Sequence, residues 1–328
     1  MNILIIGGTR FVGRHLVEAA LERGHQITLF NRGKSNPDVF PHIETIIGDR
    51  ESDLAKLDGR HWDAVIDTCG YYPRIVDLSA QALKESVGQY VFISTVSVYA
   101  DFDAAGIDEN YPLGTIEDET VEEITGKTYG PLKVLCEKAV QETYGKRALI
   151  VRPGLIVGPY DPTDRFTYWP LRVARGGKVL APVGVDEPVQ FIHARDLADL
   201  TIKLIEEKTS GVYNAVGPAQ PCPLGKLLEA CKRVSGSDAE FIWASEDFIT
   251  ENKIAPWTEF TLWIPEFEGG GLSRISNERA KAAGLKFRST EQVVRETLDW
   301  AQTRPAEYEM RAGLAAEKEE KLLGTWQA

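Results

Sequence analysis

Ile3-Leu4-Ile5-Ile6-Gly7-Gly8-Thr9-Arg10-Phe11-Val12-Gly13 decides the fold. Ile3–Ile6 is a continuous apolar run, too short for a helix and closed by Gly7-Gly8, so it reads as a strand. From Phe11 the period changes: Val12, Leu16, Ala19 and Ala20 follow helical spacing up to Arg23-Gly24. A strand that turns through glycines into a helix presents free backbone N–H groups and the positive end of the helix dipole, a receptor for a pyrophosphate. Gly7, Thr9, Arg10, Phe11, Val12 and Gly13 are therefore expected to hold a dinucleotide; the plainer alternative is a turn without a ligand. Arg10 stands where the G-x-x-G-x-x-G spacing has its middle glycine, so the fingerprint is broken at one position.

Outward from this stretch the rhythm repeats. Gln26–Phe30, Ile43–Ile47, Ala64–Asp67, Tyr90–Ser94 and Leu149–Val151 are further strand candidates, with helical stretches at Ile75–Val87 and Tyr129–Thr143. Six strands with helices between them predict an α/β fold, a doubly wound parallel sheet. After Arg152-Pro153-Gly154 glycine and proline become frequent and the elements shorten. Helices are expected near Arg165–Ala174, Arg195–Glu206, Leu224–Val234, Glu291–Gln302 and Ala306–Leu323, and Trp243, Trp257 and Trp263 suggest an apolar wall. The expected division is a dinucleotide-binding domain over residues 1–155, re-entered by the chain later, and a smaller C-terminal α+β substrate lobe within 156–328. No linker-like stretch separates the two, so they are expected to share a cleft.

Composition excludes several classes. With 43% apolar and 26% charged residues the chain is globular, and no apolar run approaches the roughly 18 residues of a membrane span. Its beginning lacks the basic and long apolar regions of a signal peptide. A net charge of −12 disfavours nucleic acid and anionic membranes as partners. Cys69, Cys136, Cys222 and Cys231 form no C-x-x-C pair and are expected as buried filler in a reducing, cytoplasmic setting. His15, His25, His42 and His61 are scattered, and no metal-ligand spacing accompanies them.

After the second strand the chain reads Phe30-Asn31-Arg32-Gly33-Lys34-Ser35. No acid is available for a ribose diol, and Arg32 and Lys34, with Arg10, offer cations to a 2′-phosphate. NADP is therefore preferred over NAD, with Asn31 also at the adenosine end. Asp49, in Gly48-Asp49-Arg50, is placed for the adenine edge beside Arg50, or as a cap for Glu51–Leu57.

Tyr129-Gly130-Pro131-Leu132-Lys133 is a Y-x-x-x-K on a predicted helix. Four residues put both side chains on one face, where an ammonium can lower a phenol's pKa from about 10 towards neutrality. Such a phenol can move a proton at a carbonyl or alcohol while hydride passes to or from nicotinamide. Upstream, Phe92-Ile93-Ser94-Thr95-Val96-Ser97-Val98-Tyr99 ends a strand with hydroxyls at Ser94, Thr95 and Ser97.

In these motifs, and in Arg152-Pro153-Gly154, Gly158-Pro159, Phe191-Ile192-His193-Ala194-Arg195-Asp196 and Tyr213-Asn214-Ala215, the chain resembles the extended and atypical short-chain dehydrogenase/reductases, the NAD-dependent epimerase/dehydratase superfamily. The resemblance implies a Rossmann-like fold. It also implies Thr95, Tyr129 and Lys133 as catalytic residues, Lys133 and Ser94 at the cofactor, and Pro153 lining the nicotinamide pocket. Departures narrow it. Val96-Ser97 replaces the Asp-Glu of the dehydratases, and Leu155 and Val189 replace an Asn and an Arg that contact sugar-nucleotide phosphates in epimerases. Arg165 or Arg172 can take over that contact, and Asp161, Asp164 and Arg165 either reach the substrate or form an exposed charged loop. Ser97 is a further substrate candidate, and Asp196 is expected to cap the helix that follows it. The expected function is an NAD(P)-dependent oxidoreductase or epimerase acting on a hydroxyl/keto carbon of a small molecule. The alternatives are a nucleotide-sugar epimerase proper and a non-catalytic nucleotide-sensing or RNA-binding protein of the same fold. Apolar positions on two faces of the Tyr129–Thr143 helix (Leu132, Leu135 and Ala139; Val134 and Cys136) predict a homodimer.

Overall fold

In the computed structural model, which describes residues 1–265 and 270–326, strand β1 (Asn2–Ile6) sends Ile3 and Ile5 into one apolar core and Leu4 and Ile6 into another. Alternate residues serve opposite faces of a sheet covered on both sides, so the run is apolar throughout. Helix α1 (Phe11–Glu22), β2 (Gln26–Asn31) and β3 (Glu44–Ile47) follow on one side. The chain then crosses β1 to lay down β4 (Trp62–Asp67), α2 (Pro73–Leu83), β5 (Val87–Ile93), α3 (Tyr129–Tyr144) and β6 (Ala148–Pro153).

Next come the short pieces of a second lobe: β7 (Ile156–Val157), α4 (Tyr168–Ala174), β8 (Lys178–Ala181), β9 (Pro188–Val189) and β10 (Ile192–His193). Helix α5 (Ala194–Glu206) and β11 (Gly211–Ala215) return to the sheet. The remainder is β12 (Cys222–Pro223), α6 (Leu224–Ser235), β13 (Glu240–Trp243), α7 (Glu246–Glu251), α8 (Glu278–Ala282), α9 (Thr290–Ala301) and α10 (Ala316–Thr325).

The sheet has seven strands in the order β11-β6-β5-β4-β1-β2-β3, all parallel. The winding direction reverses between β1 and β4, and the crevice at their carboxyl ends is the place where such a fold accepts a ligand. Helices α1 and α5 pack on one face, α2 and α3 on the other. The lobe has its own core around Phe166, Trp169, Leu227 and Phe260.

Several expectations are corrected. A seventh strand, β11, was not foreseen: it is short, opens on Gly211 and lies at the sheet edge. Helix α2 stops at Leu83, not Val87, because Ser86 accepts the Trp62 N–H (2.9 Å) and Val87 already belongs to β5. The terminal helix starts only at Ala316. Residues 306–315 instead follow the lobe surface, where Gly313 donates to the Thr258 carbonyl (2.7 Å). On α3, Leu132, Cys136 and Val140 face the core, while Leu135 and Ala139 are half-buried. Cys136, Cys222 and Cys231 are buried as expected of filler, but Cys69 is exposed in the crevice. Among the described residues no helix is long and apolar enough to cross a membrane, and no group of His, Cys, Asp and Glu side chains is arranged to hold a metal.

Candidate active site

At the amino end of α1 three glycines make a cradle. Gly7 and Gly8 have φ of 102° and 94°, and a Cβ on Gly13 would come within 2.8 Å of the Gly8 Cα. The helix start carries no side-chain cap and no acid in its first turn, so its N–H groups and dipole are left for an anion. Arg10 is accommodated in place of glycine because its backbone is ordinary extended chain (φ −125°, ψ 143°); the unusual torsion falls on Phe11, at φ 30°. These residues fit a dinucleotide pyrophosphate.

The adenosine side is braced against the same turn. Asn31 donates to the Gly7 carbonyl (3.1 Å) and accepts from the Gly33 N–H (2.8 Å). Thr9 donates to the Ser35 carbonyl (2.6 Å), and Asn36 to that of Thr9 (2.9 Å). Asn31 thus holds the loop with its side chain. Arg10, Arg32 and Lys34 are exposed and make no ion pair among the described residues. Asp49 does not cap a long helix: its carboxylate accepts the Glu51 N–H (3.1 Å), and the only helical piece that follows is a single turn at Leu54–Leu57. The expectation for Arg50 is corrected. Its guanidinium pairs with the fully buried Asp67 (2.7 Å) and donates to Ser79 (2.8 Å), beneath the crevice. Burial raises the cost of each charge, and the pair holds Asp67 below the usual carboxylate range.

On the other bank of the crevice, β5 ends at Ile93 and the chain turns through Ser94 and Thr95. The Thr95 side chain caps a short turn at Val96–Val98, accepting the Ser97 N–H (3.1 Å) and donating to the Ser97 hydroxyl (3.1 Å). Helix α3 meets this turn at Gly130, where a Cβ would lie 2.0 Å from the Ser97 carbonyl oxygen. Only glycine permits that approach, and the approach brings Tyr129 to Thr95. Gly130 is a functional position that sequence reasoning missed; the glycine beside Tyr129 was the available signal. Pro131 costs nothing there, since the first turn of a helix has no use for its N–H.

The Tyr129 phenol is pushed up from its ordinary value by burial and by the neighbouring Tyr71 phenol, while the Thr95 hydroxyl and Arg165 pull it back. The expected lowering towards neutrality is corrected for the free protein, in which Tyr129 is held as an acid. Lys133 is buried one turn further along α3. Its ammonium donates to the carbonyls of Ile93 (2.7 Å) and Gly70 (2.9 Å) and lies 4.1 Å from the centre of the Phe92 ring. Burial brings its pKa down to about 8.

Ser94 faces inward, which corrects its expected place at the cofactor. Its hydroxyl donates to Glu137 (2.5 Å), which also accepts from Arg152 through Nε (2.9 Å) and Nη2 (2.6 Å). Arg152 reaches the Tyr99 hydroxyl (3.3 Å), and Tyr99 donates to Asn214 (2.6 Å). This buried network ties together the strand end before Thr95, the helix of Lys133, and β6 just before Pro153. Pro153 closes β6 against Ala215.

The lobe supplies the remaining wall. Val189 is buried in its core and Leu155 packs against that core, so neither position offers a polar group to the site. Arg172 is buried too and pairs with Glu319 (2.5 Å), which removes it as a substrate ligand. Arg165 is half-buried, 4.9 Å from the centre of the Trp257 ring. Asp161 and Asp164 are not an exposed charged loop: both are buried and hydrogen-bonded. Asp196 is no cap; His193 caps α5 by accepting the Arg195 N–H (3.1 Å), and Asp196 accepts from the Arg288 backbone (2.9 Å).

Fold and motifs together place the chain in the short-chain dehydrogenase/reductase superfamily. Residues 3–73 and 74–216 match the NAD dependent epimerase/dehydratase family, and the chain belongs to it. It is 28% identical to a chloroplast stem-loop binding protein of 41 kDa from Arabidopsis thaliana, an alignment covering 72% of this chain and 63% of that one. It is 26% identical to the epimerase family protein SDR39U1 of Bos taurus, over 73% of this chain and 82% of the other. The UDP-glucuronic acid 4-epimerase of Bacillus cereus, solved in complex with NAD, shares the fold with a TM-score of 0.65 at 15% identity, covering 92% of this chain and 99% of that one.

Proposed function

We propose that the chain moves hydride between a nicotinamide dinucleotide and a hydroxyl/keto carbon of a small molecule, as a reductase or an epimerase. The observation that carries this reading is the contact of Gly130 with Ser97, which sets Tyr129 beside Thr95, with Lys133 one turn further along α3. Gly7, Thr9, Phe11, Val12 and Gly13 would hold the pyrophosphate, and Asp49 with the 31–34 loop the adenosine. When bound, the nicotinamide supplies a hydride donor or acceptor. Tyr129, protonated in the free protein, gives its proton to the substrate oxygen as that oxygen gains negative charge, and recovers it in the reverse direction. Thr95 turns its one hydroxyl proton from Ser97 to the same oxygen, and Ser97 supports it by donating to Thr95 in return. Lys133 holds the nicotinamide ribose, and its charge eases departure of the phenolic proton.

Three cations unpaired among the described residues, Arg10, Arg32 and Lys34, support a preference for NADP. The exposed Leu78 on α2 and half-buried Leu135 on α3 support a homodimer through these helices, and three buried free thiols suit a reducing compartment such as the cytosol. Titration of the protein with NADPH and NADH, followed by turnover on a panel of ketones and sugar nucleotides, tests the reading. Failure to bind either cofactor would sink it. Similarity to the stem-loop binding protein favours a second reading, RNA binding; the charge of −12 opposes it, and an RNA shift that persists at physiological salt would establish it.

A further inference from the structure

The buried and half-buried arginines of the lobe are matched to partners in a way that singles out one of them. Arg172 is consumed by Glu319 and by the carbonyls of Gly176 (3.2 Å) and Lys178 (2.5 Å). Arg304 pairs with Asp164 (2.7 Å) and Arg274 with Glu187 (3.4 Å). Arg165 makes no hydrogen bond and no ion pair among the described residues, although it is half-buried and close enough to Tyr129 for their charges to be felt. The nearby Asp161 carboxylate is turned to its own loop, accepting from the N–H (2.8 Å) and hydroxyl (3.1 Å) of Thr163. A guanidinium withdrawn from water without a partner is unfavourable unless something else completes its hydrogen bonds.

Its placement is held from both sides. Beneath it lies Trp257, whose backbone N–H donates to the carbonyls of Phe260 and Trp263 (both 3.1 Å). Behind it, Asp164 is fully buried in the left-handed region (φ 61°) and accepts from the Tyr308 hydroxyl (2.9 Å) and the Arg311 N–H (3.0 Å). The Asp164–Arg304 pair therefore fixes the loop while its neighbour, Arg165, is presented to the crevice.

We propose that Arg165, stacked on Trp257 and presented by the Asp164 clamp, receives a single oxyanion of the substrate, a carboxylate or a phosphate monoester, with the reacting carbon at Tyr129. The substrate is then a small hydroxy or keto acid or a sugar phosphate, and not a nucleoside-diphosphate sugar. Two phosphates need more than one polar partner, and of the positions that could add one, Val189 is buried and apolar, Leu155 is packed and apolar, and Arg172 is already paired. This assignment rests on the proposed role of Tyr129 as the acid at the reacting oxygen.

Calorimetric titration of the NADPH-loaded protein tests it with lactate, glycerol 3-phosphate and UDP as probes. Lactate and glycerol 3-phosphate separate the carboxylate from the phosphate, and at least one of them is expected to bind more tightly than UDP. Arg165→Met, which keeps the stacking volume, is expected to weaken that probe about 10- to 100-fold, the range of one charge-assisted pair, with NADPH affinity unchanged. Arg165→Lys keeps the charge without the fork and is expected to recover part of the loss. Tyr129→Phe is expected to leave probe binding intact, so a wrong role for Tyr129 shows in turnover alone and a wrong role for Arg165 in binding alone. Tighter binding of UDP than of either lactate or glycerol 3-phosphate, no binding of either at millimolar concentration, or unchanged affinity in Arg165→Met would each overturn the proposal.

Discussion

The two banks of the crevice are built on different plans. On the sheet side the candidate groups lie in the turns that follow strands or in the opening turns of helices, and the buried ion pairs join residues close in sequence: Glu137 with Arg152, 15 apart, and Arg50 with Asp67, 17 apart. On the lobe side the elements are short, and the ties span most of the chain's second half. Arg172 and Glu319 are 147 residues apart, as are Asp164 and Arg311, and Asp196 and Arg288 are 92 apart. A buried pair adds little net stability over apolar packing but is costly to break, because one partner is left charged and unmatched. The ion pairs of the sheet bank are thus local, whereas those of the lobe bank depend on residues near the end of the chain.

The sharpest way to break this comparison is at Tyr129. Tyr129→Phe removes only a hydroxyl from a half-buried ring and is expected to lower turnover roughly 10²–10⁴-fold, with NADPH affinity unchanged by fluorescence titration. Full activity in the variant would remove Tyr129 from the mechanism. One step smaller, the two buried pairs can be set against each other. Glu137→Ala and Glu319→Ala are each expected to cost about 3–5 kcal/mol in denaturant unfolding. Only Glu137→Ala should also weaken NADPH, since its carboxylate ties the strand end before Thr95 to the helix of Lys133 and to Arg152. A loss of cofactor affinity in Glu319→Ala would show that the banks are not independent.

Where the banks meet, His193 caps α5 next to His15 (ring centres 6.0 Å apart), and burial, reinforced by Arg288, lowers its pKa to about 3. The unfolded chain takes up this proton near pH 6.5 and the folded protein does not. Stability is therefore full above pH 6.5 and falls as the pH drops towards 3, at up to about 1.4 kcal/mol per unit from this group. Comparing wild type with His193→Asn across that window isolates it; identical slopes would count against a neutral buried imidazole. The smallest effect expected is at the adenosine end, where Arg32→Ala should weaken NADPH by about 1–2 kcal/mol and leave NADH alone. Equal losses for both cofactors would show that Arg32 reads no 2′-phosphate.

The sequence alone determined the frame of the sheet side, short of its edge strand β11. The unbroken apolar run Ile3–Ile6, the glycine turn and the helical spacing after Phe11 are short-range signals, and the same signals set the places of Tyr129 and Lys133. Tertiary structure alone decided which polar residues face the crevice and which lie inside. Arg50 and Ser94 stand where a cofactor would find them in sequence, yet Asp67 and Glu137 draw them inward. Asp161 and Asp164 read as substrate contacts or a solvated loop, Arg165 and Arg172 as equals, until Arg304, Tyr308, Arg311 and Glu319 arrive from the far end of the chain. The physical reason is the range of the forces involved. Backbone turns and helical faces are settled among neighbours a few residues apart, but a buried charge is settled only by the partner that folding brings to it.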